Sequence, residues 1–127
     1  MAKILIVDDE AGIRIFCHTI LSREGHKVEC AASAGQAFSL YRKSPADVVL
    51  VDVLMRKWNG VDLVPSMARK FPQIRIIAIA GGWMWDADIF LARAIAAGAV
   101  DALCRPFTAE QLVACTDNVL MQVYAAD

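Results

Sequence analysis

A chain of 127 residues, 57% of them hydrophobic, can bury roughly two-thirds of the surface its unfolded form exposes, so one domain around one core is expected. Its 13 basic and 14 acidic residues are interspersed and leave a net charge of −1, which excludes a nucleic-acid footprint and a polybasic membrane segment. So large an apolar share implies either a very apolar core or apolar surface that meets a partner.

The first strand spans 3–8, where Lys3-Ile4-Leu5-Ile6-Val7 runs into Asp8-Asp9-Glu10. A helix over 11–23 follows, with Ile13, Phe16, Cys17, Ile20 and Leu21 on one face of a 3.6-residue period. Gly25 stops it as a C-terminal cap. The second strand, 26–31, alternates Val28 and Cys30 with Lys27 and Glu29, the pattern of a half-exposed edge. Ser33 caps a short helix over 34–43 that turns Phe38 and Tyr41 or Leu40 inward, and Pro45 breaks it.

The third strand, 47–52, contains Val48-Val49-Leu50-Val51 without polar alternation, as in a central strand of a parallel sheet buried on both faces. It ends on Asp52. A loop over 53–60 leads to a helix with Val64, Met67, Ala68 and Phe71 in a stripe, closed by Pro72. Residues 74–80 form a fourth apolar strand that exits through Gly81-Gly82; an alanine-rich helix over 85–97 ends at Gly98. The fifth strand, 100–104, precedes the Arg105-Pro106 turn, and Thr108 with Gln111 forms a capping box for a last helix ending near Val123.

Strict alternation of strand and helix joined by right-handed crossovers gives a doubly wound α/β sheet of five parallel strands and five helices. With the second strand at an edge, the flavodoxin-like order 2-1-3-4-5 fits, and its switch point lies between the first and third strands. That is where Asp8, Asp9 and Asp52 meet. Crowded carboxylates repel unless a cation sits among them, and hard oxygen ligands point to magnesium or calcium.

The four cysteines, Cys17, Cys30, Cys104 and Cys115, show no C-x-x-C pair and read as buried thiols in a reducing cytoplasm. His18 and His26 read as a helix and a strand-edge residue. The amino terminus enters a strand without a signal-peptide pattern, and no apolar run approaches the roughly 18 residues of a membrane span, so a cytoplasmic location is expected.

The chain resembles the receiver domain of two-component response regulators over essentially its whole length. The resemblance rests on Asp8-Asp9 after an apolar strand, Asp52 ending the third, Met55 and Gly60 at the spacing of a D-x-x-M-P-x-x-x-G loop, and Gly98-Ala99-Val100-Asp101 leading to Arg105-Pro106-Phe107. It implies that Asp52 accepts a phosphoryl group from a histidine kinase or phosphotransfer protein. It also implies Mg2+ held by Asp9, Asp52 and the backbone carbonyl of Leu54, with Asp8 helping through metal-bound water. Such a protein is a phospho-acceptor with metal-assisted self-phosphorylation and dephosphorylation, not an enzyme acting on other substrates.

The departures concern the switch. Ala80 stands where the family has Ser or Thr at the end of the fourth strand, Arg105 where it has Lys, Ala102 where it has an aromatic residue, and Arg56 where it has a proline. Arginine keeps the charge, but its planar fork is bulkier than an ammonium. One reading keeps Asp52 as acceptor and sends the signal out by another route. The alternative is a degenerate receiver that binds a partner irrespective of phosphate.

Trp83-Met84-Trp85 and Trp58 are candidates for a partner surface or for folding back over the alanine-rich helix. In the family the common docking and dimerisation face is the fourth helix, fifth strand and fifth helix. The chain is expected as a monomer or weak homodimer, either a stand-alone receiver or a piece of a longer protein. A haloacid-dehalogenase-like phosphatase needs a D-x-D motif, and Asp52-Val53-Leu54 lacks its second acid. A flavodoxin needs a hydroxyl-rich phosphate loop where this chain has Asp9-Glu10, which would repel the phosphate.

Overall fold

The computed structural model describes residues 1–53, 60–81 and 87–125. β3 (Val48–Asp52) is buried at every position, as its unbroken apolar run requires, and lies between β1 (Lys3–Val7) and β4 (Ile76–Gly81). β2 (Lys27–Ala31) and β5 (Asp101–Arg105) form the edges, giving the parallel order β2-β1-β3-β4-β5. The alternating second strand is an edge strand, and Lys3 and Glu29 pair there at 2.8 Å.

Side-chain alternation divides the sheet into two apolar layers. Leu5, Val7, Val49, Val51, Ile76, Ala78 and Ala80 face α2 (Ala34–Lys43), α3 (Gly60–Lys70) and α4 (Ala87–Ala97). Ile4, Ile6, Val48, Leu50, Ile77 and Ile79 face α1 (Ala11–Arg23) and α5 (Ala109–Ala125).

The predicted caps form. Ser33 Oγ accepts from the Gln36 amide, and Thr108 and Gln111 bond reciprocally at 2.8 and 3.0 Å, satisfying donors at the start of α5. Gly25 and Gly98 take φ of 89° and 117°, ending α1 and α4 where a side chain would be strained.

Strand limits shift by one or two residues: β4 runs to Gly81 and β5 to Arg105, because pairing with the neighbouring strand continues that far. The apolar face of α1 is narrower than its sequence stripe. Only Cys17 and Leu21 are buried, while Phe16 is 38% exposed and stands edge-on to Phe107, ring centroids 6.0 Å apart. Phe16 lies about 100° around the helix from Cys17, on the flank facing the β5–α5 turn.

Candidate functional site

Register brings the acids together. β1 and β3 are parallel with Val7 beside Val51, so Asp8 and Asp52, the next residue of each chain segment, stand level at the C-terminal edge of the sheet. Both are buried, at 1% and 2% exposure. With half-buried Asp9 they bring carboxylate oxygens to within 4.8 Å of one another.

Asp8 is the strained member. One oxygen accepts from the Glu10 amide at 2.8 Å, whereas Oδ2 is buried without a hydrogen-bond partner. Burial pushes its pKa up to about 7; the Glu10 amide opposes the shift, and the neighbouring Asp52 carboxyl adds to it. Such a group is held ready for a cation or a proton. The backbone beneath is fixed: the Asp8 carbonyl accepts from Arg14 Nη1 at 2.7 Å, and the Asp8 amide donates to the Ala31 carbonyl at 3.0 Å.

Arg105 closes the other side. Its Nη2 lies 3.2 Å from Asp52 Oδ2 and its Nη1 lies 3.1 Å from Glu10 Oε2. The reach crosses β4. Asp52 pairs in register with Ile79, and Gly81 with Arg105. By the two-residue period Gly81 shares the face of Asp52 and Arg105, so the position between them carries no side chain and the guanidinium passes over the strand tip.

The opposite face carries the alanines. Ala80 is fully buried beside Cys104, and Ala102 beside Ala78, both packed in the layer under α3 and α4. No hydroxyl therefore stands at the end of β4. Leu54, Met55, Arg56, Trp58, Trp83, Met84 and Trp85 lie outside the described residues. The four cysteines are free; burial pushes the Cys17 and Cys115 thiols up to about 12, which leaves them unreactive. His26 Nδ1 accepts from the Ala2 amide, and His18 pairs with Ser22 on α1.

In sequence Glu10 directly follows Asp8 and Asp9. The structure turns it away from them, because it precedes α1 in extended conformation and its carboxylate meets Arg105. Gly81 was legible only as a flexible exit; its role as a gap depends on the register of β4 and β5.

The comparisons agree with this geometry. Residues 4–117 match the response regulator receiver domain family. Response regulator SaeR of Staphylococcus aureus is 32% identical over 97% of this chain and 52% of its own length. The chain thus spans about half the length of the curated relatives it matches. Among solved structures, the receiver domain of NtrX from Brucella abortus superposes with a TM-score of 0.84 at 29% identity, over 93% of this chain and 98% of its own. Chemotaxis protein CheY4 of Vibrio cholerae gives 0.84 at 28%, over 94% and 98%. A receiver domain from Clostridium thermocellum gives 0.87 at 26%, covering all of both chains. With strand order, strand-end acids and matched span in agreement, this chain belongs to the response regulator receiver domain family of two-component signalling.

Proposed function

We propose that Asp52 is a phospho-acceptor that takes a phosphoryl group from a histidine kinase or phosphotransfer protein and passes the signal to a partner protein. The observation that carries this reading is the buried Asp52 carboxylate, gripped by Arg105 on one oxygen and set beside the orphaned Asp8 Oδ2.

The acids fit the Mg2+ that the family implies: three carboxylates converge, and one buried oxygen lacks a partner. Asp9 and Asp52, supported by Asp8, would hold it, with the Leu54 carbonyl as the ligand outside the described residues. Bound there, Mg2+ supplies neutralisation of the acidic cluster and screening of phosphoryl charge.

The chain's own groups account for the remainder. An Asp52 oxygen forms the new bond to phosphorus while the bond from phosphorus to the donor histidine nitrogen breaks. The electron pair stays on that nitrogen, and a proton on the other ring nitrogen keeps the leaving imidazole neutral. Arg105 turns from a carboxylate partner into a phosphoryl partner, keeping its charge beside the acquired oxygens. On this reading the chain is a substrate of its kinase and a self-dephosphorylating acceptor, not an enzyme acting on other molecules.

For the output partner, the face of α4, β5 and α5 is the favoured dock. Ile89 and Ile95 on α4 are exposed, a setting in which apolar contact area is available. Trp83 and Trp85 precede α4 in sequence and belong to the same proposal. A cytoplasmic site of action goes with it; no helix among the described residues is long and apolar enough to cross a membrane.

Buried Ala80 favours a second reading, a phosphate-independent binding module, since a phosphoryl oxygen loses one hydroxyl donor. Intact mass after incubation with acetyl phosphate and MgCl2 separates the two. A magnesium-dependent phosphoryl adduct that is absent in Asp52→Asn supports the acceptor; no adduct, also with a cognate kinase, sinks it.

A further inference from the structure

We infer that Glu10 is a positioning residue for Arg105, supplying the second anchor that an arginine needs at a position where a single ammonium needs only one. The inference rests on the reading of Asp52 as phospho-acceptor.

The guanidinium presents a planar, rigid fork. Here its two arms go to different acids, Nη2 to Asp52 at 3.2 Å and Nη1 to Glu10 at 3.1 Å. Glu10 is suited to hold one arm still. Its amide donates to Asp8 Oδ1 at 2.8 Å and its carbonyl accepts from the Arg14 amide at 3.2 Å, so the backbone is pinned on both sides. It occupies the N-cap of α1, yet its carboxylate makes no capping bond and is directed to Arg105. It also stands outside the group of carboxylates that converge with Asp52.

Without Glu10, the second arm of the guanidinium is released to close on Asp52 as well, the preferred bidentate pairing of arginine with a carboxylate. The nucleophile would then be held by both arms of the cation. A lysine at the same position has no second arm and would be indifferent to Glu10.

The test is the rate of adduct formation from acetyl phosphate with MgCl2, followed by intact mass. In this reaction the bond from Asp52 oxygen to phosphorus forms, the bond from phosphorus to acetate oxygen breaks, and acetate leaves with the electron pair. Glu10→Ala is expected to slow the parent about three- to fivefold, the scale of one partly exposed ion pair expressed as a rate. Glu10→Asp restores most of the rate, and in an Arg105→Lys background Glu10→Ala changes it by less than about twofold. A plain charge effect has the opposite sign: removing an acid eases approach of the anionic donor and speeds both backgrounds alike. Melting curves confirm folding, which is expected because the Glu10 side chain is 63% exposed and caps nothing. An unchanged rate in Glu10→Ala, or equal slowing in both backgrounds, overturns the inference alone. No adduct on the parent, also with a cognate kinase, overturns the proposed function and the role of Glu10 with it.

Discussion

Asp8 and Asp52 stand side by side at the ends of adjacent parallel strands, both buried, with Asp8 Oδ2 lacking any hydrogen-bond donor. Two like charges held in a poorly solvated place cost stability unless a proton or a cation joins them. On the proposed reading, the arrangement gives up stability of the metal-free fold in exchange for a metal site.

The trade predicts a pH dependence. Asp8 has an ordinary pKa of 3.8, raised to about 7 in the fold, so between those values the folded state holds a proton that the unfolded state has lost. Stability from this group is present below about pH 4 and is lost as pH rises through about 7. Asp8→Asn removes the charge, and the metal-free variant is expected to melt ~3–8 °C above the parent at pH 8, with the gap closing towards pH 5. Calorimetric melting in EDTA across that range checks it; a variant less stable than the parent at pH 8 would contradict it.

Magnesium should act in the opposite sense. At a concentration ten times its dissociation constant, a ligand bound only by the folded state adds ~1.4 kcal/mol. MgCl2 is thus expected to raise the melting temperature of the parent at pH 8 by several degrees. Asp9→Asn and Asp52→Asn should lose most of that response, and a full response in both variants would remove the acids from the metal site.

Ala80→Thr restores a hydroxyl at the end of β4. In the resting state it is placed in a fully buried position, where an unpaired hydroxyl costs about 1–3 kcal/mol. In the phosphorylated state the hydroxyl gains a charged acceptor, worth roughly 1.5–3 kcal/mol. The variant is expected to melt lower than the parent yet accumulate adduct about tenfold faster or hold it about tenfold longer. Urea denaturation and timed mass spectra measure the two halves separately.

Gly98→Ala tests a residue of the family motif that has no chemical part. Gly98 has φ of 117°, and an added Cβ would come within 2.7 Å of Ala68 Cβ on α3. Strain in that conformation is of order 1–3 kcal/mol. Urea denaturation should show that loss of stability, with the adduct rate of the remaining folded protein unchanged.

Much of the architecture was legible because each element carries a local signal. The alternation of Val28 and Cys30 with Lys27 and Glu29 marked the edge strand, and the unbroken Val48–Val51 run marked the central one. Thr108 and Gln111 announced the start of α5 through a bond pattern confined to one helical turn. Phe16 was misplaced because a helical stripe records which residues are apolar and not how wide the neighbouring contact is. Tertiary packing left it on a flank beside Phe107.

By itself, the sequence determined the strand order and the meeting of Asp8, Asp9 and Asp52, because a parallel strand buried on both faces is written as an uninterrupted apolar run and its last residue must emerge at one edge. It also determined the loss of hydroxyl and aromatic side chains at Ala80 and Ala102. Only the tertiary structure decided which carboxylates stay in the cluster. Glu10 leaves it for Arg105, a partner 95 residues away, and that choice depends on sheet register, on the bare tip of β4 at Gly81 and on the geometry of a two-armed cation. None of these is a property of residues near Glu10 in the chain.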